Sequence, residues 1–372
     1  MRRAAFAPPP WSVGLILGAF FLALTPGIRF GSIDGEMVYW ATVAMAERQS
    51  AAVRIPPLPH IPWLIERGFL QAGSDGRWFI RYNLGQPLAA LPFYILGNIL
   101  GGPVVGQWFV NLLPAVASAI AGAILYHWAA RIYGPGVALG ITALWALATP
   151  APVYARLFFA EALITLCLLV GLRAAASSRP LSVILGGFAI GWALLTREGA
   201  AAAVPAALLV LVLARRTWPQ RFAALARWAV GFGFPVSLLL WHNVFRFGHP
   251  LRHGYAGEGF TASPLEGLIG LLISPGQGLL LYAPPTWLAI PGAARLWRRD
   301  PVVAWAGIAL LIGYLGLYSR WWAWHGGWSW GPRFLIPTLP FLLLLVGGAS
   351  AARWFPGLAA GLGLLGFLAN LP

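Results

Sequence analysis

Two acidic residues, Asp34 and Glu36, lie close together just after the first apolar stretch of the chain. The 372 residues include only ten acidic ones, so this pair is an unusual concentration of carboxylates. A carboxylate held at a partly dehydrated interface binds protons more readily and can act as a general base. Paired carboxylates also suit a divalent cation. The structural alternative is that Asp34 caps a helix that starts in the same segment.

Charged residues also stand at the ends of apolar segments further along the chain. Arg156 and Glu161 lie near the junction of two predicted helices, and Arg197 and Glu198 follow another. Ionisable groups in or beside a membrane are costly to keep there and are therefore candidate functional residues. Arginines that converge on one pocket suit a phosphate or diphosphate, because the planar guanidinium binds two oxygens at once. A plain Arg–Glu pair is the structural alternative.

Histidines and tryptophans form two further groups of candidates. His249 and His253 are four residues apart, but Pro250 disrupts a helix there, so we expect hydrogen bonding or phosphate contact rather than a metal pair. The segment 321–330 contains five tryptophans, among them Trp328. Such a run is typical of an aromatic belt at a membrane interface, and its ring faces could also stack on a sugar or an isoprenoid.

Composition indicates what must position these residues. Hydrophobic residues make up 59% of the chain and charged residues 9%, with a mean hydropathy of +0.74. A soluble domain has about a quarter charged residues, so the sequence predicts an all-α polytopic protein embedded among membrane lipids. The net charge is +15 and every basic residue is an arginine. Because these arginines are scattered between apolar runs, we expect no nucleic-acid partner.

We predict about eleven membrane-spanning helices, each near the roughly 20 residues that a bilayer requires. The N-terminus is placed in the cytoplasm, because 13 of the 25 arginines then fall in cytoplasmic loops and nine of the ten acidic residues face outward. Three outer segments follow: 31–102 with interfacial helices, including 86–100, then 247–275, and the tryptophan-rich 319–333. The predicted spans are 11–30, 104–130, 136–154, 158–174, 181–197, 199–214, 228–246, 276–294, 301–318, 333–350 and 354–371.

A first helix followed by an acidic D-x-E in a long outer loop resembles the membrane glycosyltransferases of the GT-C fold. More specific motifs have the same order as in bacterial members that use a phospholipid-carried sugar, which are relatives of the protein O-mannosyltransferases and of the lipid A aminoarabinose transferase. The resemblance extends to about Leu343. The motifs are DGRWFIRYNLGQPL at 75–88, FGHPL at 247–251, SPGQGL at 274–279 and WSWGPRF at 328–334.

The resemblance implies inverting transfer of a sugar from a polyprenyl-phosphate carrier to a hydroxyl of a lipid, glycan or protein acceptor. It also implies one transmembrane GT-C domain over 1–372, without a soluble C-terminal domain, and a site on the outer side of a bacterial-type cytoplasmic membrane. The family's first-loop aspartate matches Asp34 as the base. Glu36 is its acidic neighbour, although the adjacent Asp-Glu of the O-mannosyltransferases is here Asp-Gly-Glu. Candidates for substrate and phosphate binding are Arg81, Tyr82, Glu161, Arg197, His249, Arg252, His253, Tyr255, Trp328 and Arg333.

Transport of a lipid-linked sugar without transfer chemistry is the alternative function. Such a carrier would also need arginines and aromatic residues along a groove, but it typically has inverted repeats and broken helices at the midplane, and the sequence indicates neither. A non-catalytic scaffold is a third class, and it gives no reason to gather nine carboxylates on one face. Geometry separates them, because a transferase must place Asp34 within reach of an outward cavity that it shares with several arginines.

Overall fold

The structure is a computed structural model that describes residues 7–25, 27–55, 59–255 and 257–371. Over these residues the chain is almost entirely helical, with one two-stranded antiparallel ribbon. The predicted all-α class is therefore confirmed. Arg2 and Arg3, which belong to the arginines assigned to the cytoplasm, lie outside the described residues.

The helices differ widely in length, and short 3₁₀ turns connect several of them. In the ribbon, β1 (Leu70–Ala72) pairs with β2 (Trp78–Ile80), and Leu70 lies opposite Ile80. The 3₁₀ turns cover Glu198–Ala203, Pro284–Leu288 and Arg333–Thr338. The α-helices are α1 (Pro10–Ala23), α2 (Ile33–Arg48), α3 (Ile61–Glu66), α4 (Gly85–Val110), α5 (Leu112–Tyr133), α6 (Pro135–Leu147), α7 (Ala151–Arg156), α8 (Glu161–Ala175), α9 (Pro180–Thr196), α10 (Val204–Leu213), α11 (Trp218–Phe247), α12 (Pro264–Ile273), α13 (Leu279–Tyr282), α14 (Ala289–Arg299), α15 (Pro301–Tyr318), α16 (Leu339–Gly347) and α17 (Phe355–Ala369).

By length and composition alone, four helices in the described part of the chain could cross a membrane, namely α4, α5, α11 and α15. Seven shorter apolar segments accompany them, including α1, α9 and α17. These helices are those of a polytopic membrane protein. The total number of crossings stays a prediction.

Helix α4 is a bent pair of helices rather than one straight rod. Its backbone leaves the helical conformation at Gly101 and Gly102, and Gly102 has a φ of 79°, which favours glycine. The two arms fold back on each other, since a Cβ on Gly97 would lie 2.8 Å from the Cα of Gly106. The first arm is a helix at the predicted position 86–100, and its location at the membrane interface stays a prediction. The predicted span 104–130 is not one uninterrupted helix, because Asn111 separates α4 from α5.

A second predicted span, 276–294, is also wrong as a continuous helix. The structure divides this region into α13, a 3₁₀ turn and the first part of α14. The break falls at Pro284 and Pro285, which have no backbone N–H to donate and restrict the preceding residue. Prolines therefore set the boundary that hydropathy alone does not reveal.

Helix α2 positions Asp34 and Glu36, and a serine caps the N-terminus of this helix. The Ser32 Oγ accepts a hydrogen bond from the Gly35 backbone N–H at 3.1 Å, so Ser32 is the N-cap. The alternative interpretation of Asp34 as the cap is therefore wrong. Asp34 and Glu36 lie in the first turn, where carboxylates interact favourably with the helix dipole.

Close contacts between α9 and α11 hold the helix that ends next to the site. A Cβ on Gly187 would lie 2.0 Å from the Trp228 carbonyl oxygen, and one on Gly191 would lie 2.8 Å from that of Phe232. Small residues of this kind let two helix backbones approach closely inside a membrane. This packing fixes the end of α9, where Arg197 follows Thr196.

Candidate active site

Asp34 lies at the centre of a polar cluster at the ends of several helices. Its Oδ1 accepts a hydrogen bond from the Tyr82 hydroxyl at 2.6 Å, and its Oδ2 accepts one from Arg333 Nη2 at 2.5 Å. Tyr82 stands between β2 and α4, and Arg333 begins a 3₁₀ turn near the end of the chain. Contacts between such distant segments require the complete fold, so the cluster is tertiary rather than local.

Glu161 joins two arginines behind Asp34. Its Oε1 accepts hydrogen bonds from Arg197 Nη1 at 2.6 Å and from Arg333 Nε at 2.8 Å. The Glu161 side chain is only 1% exposed, so these partners are what make its buried charge tolerable. The sequence had placed Arg156 beside Glu161, but Glu161 pairs with Arg197 and Arg333 instead.

The charges around Asp34 determine its protonation. Burial acts to raise the pKa of Asp34, but the Arg333 charge, hydrogen bonds from Tyr82 and Arg333, and the Arg197 charge outweigh it and hold the pKa below its ordinary value. Burial and the negative charge of Asp34 raise the pKa of Tyr82 well above its usual range. Asp34 is therefore ionised at neutral pH, and Tyr82 keeps its proton and donates it in the hydrogen bond.

Asp34, Arg197 and Arg333 line one small cavity of about 10 Å³, roughly the space of a single water molecule. The cavity combines a carboxylate, two guanidinium groups and an aromatic face, because the Phe159 ring centroid lies 4.1 Å from the Arg333 guanidinium. Asp34 therefore lies in a cavity that it shares with two arginines, which is one part of the geometric condition for a transferase. That this cavity faces outward stays a prediction. The lining residues are Asp34, Val38, Tyr82, Asn83, Gln86, Phe159, Ala160, Thr196, Arg197 and Arg333.

Arg246 holds the segment that carries Tyr82, and the sequence interpretation missed it. Arg246 is fully buried at the end of α11. Its Nη1 donates to the carbonyl oxygens of Ile80 and Tyr82 at 3.0 and 3.1 Å, and its Nη2 donates to Asn83 Oδ1 at 3.0 Å. The available signal was an arginine at the end of a predicted span, since charged groups there are rarely incidental.

Arg81 and Tyr255 belong to a neighbouring cluster that joins three segments. Arg81 Nη2 pairs with Glu258, and the Arg81 guanidinium lies 4.4 Å from the Tyr255 ring centroid. Trp322 Nε1 donates to Glu258 Oε2 at 2.9 Å. Arg81 does not line the Asp34 cavity, so its immediate role in the structure is to connect the segments around it. Glu258 and Trp322 were not identified from the sequence.

The remaining candidates lie outside the cavity. Residues two apart on a helix do not share a face, so Glu36 points away from Asp34 and the predicted acidic pair is not formed. His249 Nδ1 and His253 Nδ1 each accept a backbone N–H two residues later, at 3.2 Å, and so stabilise turns. Arg252 is exposed beside the Phe247 ring, and Trp328 is fully exposed.

A divalent cation does not fit the arrangement at Asp34. Both carboxylate oxygens accept hydrogen bonds, one of them from a guanidinium whose positive charge would repel a metal ion. Glu36, the other predicted ligand, does not line the cavity. Over the described ranges no three His, Cys, Asp or Glu side chains are grouped to hold a metal.

The fold and the site together define a class of protein. The chain is similar over 95% of its length to ArnT from Cupriavidus metallidurans in the apo state, with a TM-score of 0.59 and 17% identity. The match to ArnT bound to undecaprenyl phosphate has a TM-score of 0.62, 16% identity and 96% coverage. The chain has the GT-C fold, which confirms the resemblance seen in the sequence.

Two further comparisons agree with this fold. Residues 87–241 match the sequence model of the family described as dolichyl-phosphate-mannose-protein mannosyltransferase. The Archaeoglobus fulgidus oligosaccharyltransferase AglB, solved with an inhibitory peptide and a dolichol-phosphate, matches 97% of the chain with a TM-score of 0.54 and 10% identity. No curated protein matches the sequence. The chain spans 61–62% of the ArnT chains and 55% of this AglB chain.

Proposed function

We propose that this protein is a membrane glycosyltransferase that moves a sugar from a polyprenyl-phosphate carrier to an acceptor hydroxyl, with Asp34 as the general base. The observation that carries this proposal is the cavity in which Asp34 meets Arg197 and Arg333. A base and two cationic groups in one cavity are the parts that displacement of a phosphate leaving group requires.

The proposed reaction is a single displacement with inversion at the anomeric carbon. Asp34 takes the proton of the acceptor hydroxyl as its oxygen bonds to the anomeric carbon, and the bond from that carbon to the phosphate oxygen breaks. The electron pair stays on the phosphate, where Arg197 and Arg333 stabilise the added negative charge. A phosphate leaves readily without a general acid, so one carboxylate is sufficient.

Glu161 has a supporting role in this scheme. Its Oε1 accepts hydrogen bonds from both arginines, and its charge balances one of theirs. The guanidinium forks are thereby fixed before the donor arrives, which reduces the reorganisation needed in the transition state. The role that we propose for Tyr82 is to orient Asp34, because the Tyr82 hydroxyl donates a hydrogen bond to Asp34 Oδ1.

The class of donor is proposed from the neighbouring structures. ArnT binds undecaprenyl phosphate in one of them, and AglB is in complex with a dolichol-phosphate in another. The family described as using dolichyl-phosphate-mannose matches residues 87–241 of this chain. These likenesses support a polyprenyl-phosphate sugar as the donor. The acceptor that we propose is a lipid, glycan or protein hydroxyl on the outer side of a cytoplasmic membrane, and this part of the proposal rests on the sequence alone.

Transport of the same lipid-linked sugar is the second candidate, and broken helices favour it. Helix α4 breaks at Gly101 and Gly102, and 276–294 is broken as well. Neither break lines the Asp34 cavity, so these features provide no ion or substrate site of the kind that carriers build from unwound helices. Transfer chemistry explains the carboxylate beside two arginines more directly.

The test uses the full chain in lipid nanodiscs with a panel of polyprenyl-phosphate sugars and a mixed panel of hydroxyl acceptors. We expect consumption of at least one donor and release of polyprenyl phosphate. Arg333→Gln should abolish this release, whereas Arg77→Gln should not, because Arg77 is exposed, forms its ion pair with Asp75 and does not line the cavity. Movement of unmodified donor across proteoliposomes without its consumption would contradict the proposal and support transport.

A further inference from the structure

Arg333 is shared between two carboxylates in a site whose charges balance. It donates to Asp34 through Nη2 and to Glu161 through Nε, and Arg197 donates to the same Glu161 oxygen. Asp34, Arg333, Glu161 and Arg197 form one ion-pair chain, in which two positive and two negative charges cancel. A donor phosphodiester adds one negative charge to this balanced site, so its binding must redistribute the existing ion pairs.

The arrangement without donor makes Asp34 a weak base. Tyr82 and Arg333 donate to its two oxygens. The resulting low pKa means a low affinity for the acceptor proton, which limits general-base catalysis. The titratable groups that face Asp34 from the surrounding elements are Tyr82, Glu161, Arg197, Tyr255 and Arg333.

We propose that Arg333 passes from Asp34 to the donor phosphate when the donor binds, so that the donor itself activates the base. This inference rests on the proposed glycosyl transfer. The phosphate oxygens compete with Asp34 for the same guanidinium, and a guanidinium fork binds phosphate with two parallel hydrogen bonds. Arg333 can change partner without leaving the site, because its Nε stays bound to Glu161 and its guanidinium lies on the Phe159 ring.

After the exchange, Asp34 keeps the hydrogen bond from Tyr82 but loses its direct cation and gains a negative neighbour. Each change favours the protonated carboxyl group. The proton of the acceptor hydroxyl then moves to Asp34, the acceptor oxygen bonds to the anomeric carbon, and the leaving phosphate keeps the electron pair beside Arg333 and Arg197. The acceptor is therefore deprotonated only when a donor is present.

Binding of an unreactive phosphodiester tests the exchange without transfer chemistry. Farnesyl methyl phosphate carries one fixed negative charge near neutral pH, so any proton that is taken up must bind to the protein. Between pH 5 and 7 we expect wild-type protein to take up as much as one proton on binding. Infrared difference spectra should then show the carbonyl band of a protonated carboxyl group. Asp34→Asn should lose both signals, and Asp75→Asn, at an exposed carboxylate away from the cavity, should keep them.

The possible outcomes separate this inference from the proposed function. Binding without proton uptake, or a carboxyl band that persists in Asp34→Asn, would overturn the exchange and leave glycosyl transfer standing. Failure of the wild-type protein both to bind the phosphodiester and to consume any donor would overturn the proposed function.

A second measurement needs no variant and applies even if Asp34→Asn does not fold. The pH profile of kcat/KM reports the free enzyme, and that of kcat reports the donor complex. The exchange predicts that the acid limb of kcat lies at least one pH unit above the acid limb of kcat/KM. Coincident limbs would overturn it.

Discussion

Replacement of Glu161 by glutamine tests whether the ion-pair chain holds the site together. Glu161 is 1% exposed and accepts from both arginines through one oxygen. Glutamine keeps the length of the side chain and one acceptor oxygen but removes the negative charge. Asp34 would then be the one carboxylate of the four ion-paired residues left to balance Arg197 and Arg333. Removal of one partner from a buried pair destabilises a protein by about 3–5 kcal/mol. We expect Glu161→Gln to fall in that range.

The assay is the free energy of unfolding of the full chain in mixed micelles, measured by titration with a denaturing detergent. Glu266→Gln is the matched control, because Glu266 is exposed in the first turn of α12, and a surface change of this kind alters stability by about 0.5 kcal/mol or less. The double variant Glu161→Gln/Arg197→Gln restores the balance of charge, with Arg333 opposite Asp34. It should be more stable than Glu161→Gln alone.

The comparison of the single and double variants decides the argument. If the loss comes from an unpaired buried arginine, removal of that arginine recovers part of it. A double variant that is less stable than Glu161→Gln would refute the charge-balance reasoning, because additive loss indicates packing rather than electrostatics. A single variant as stable as the Glu266→Gln control would refute it as well.

Three further predictions concern the arginine fork, acid stability and topology. Arg197→Lys should lose most transfer activity because a point charge cannot reproduce the fork; normal turnover relative to the Arg77→Lys control would remove Arg197 from the donor site. The low pKa of Asp34 means that its charge stabilises the fold above about pH 4 and that this contribution is lost as pH falls through the lowered pKa. The stability advantage of wild type over Asp34→Asn in pH titrations should therefore shrink at acid pH, and a constant difference would contradict the pairing. Cysteine labelling should find positions near Arg216 and Arg298 on the cytoplasmic face, and outward labelling would reverse the predicted topology.

Much of the site was predictable, because its residues could be chosen by their charge and by their position in the sequence. Asp34, Glu161, Arg197 and Arg333 are charged groups next to apolar runs, and such residues are rare in this chain. Their convergence could not be predicted, because it depends on contacts between segments up to 299 positions apart. Arg246 was missed because hydropathy assigned it to the end of a predicted span.

The fold class was predictable from composition, whereas the helix boundaries were not. Hydropathy averages over windows and so passes over local breaks, as at Gly102, where a φ of 79° reverses α4. The N-cap of α2 is another feature that the sequence alone does not identify. Ser32 and Asp34 are both good caps, and only the backbone geometry shows that Ser32 fills the role and leaves Asp34 to line the cavity.

The most direct test of the central claim is transfer by Asp34→Asn at equal amounts of folded protein. Asparagine keeps the size of the side chain and accepts the Tyr82 hydrogen bond, but it cannot take the acceptor proton. Because Ser32 caps α2, the exchange leaves the helix start intact. Loss of a general base lowers the rate about 10²–10⁴-fold, or roughly 3 to 5 kcal/mol.

The measurement is single-turnover release of polyprenyl phosphate from a donor that the wild type consumes, with Asp75→Asn as the control. We predict that Asp34→Asn binds the donor and transfers sugar at least a hundredfold more slowly, while Asp75→Asn matches the wild type. Transfer by Asp34→Asn at a near-normal rate would contradict the assignment of Asp34 as the base.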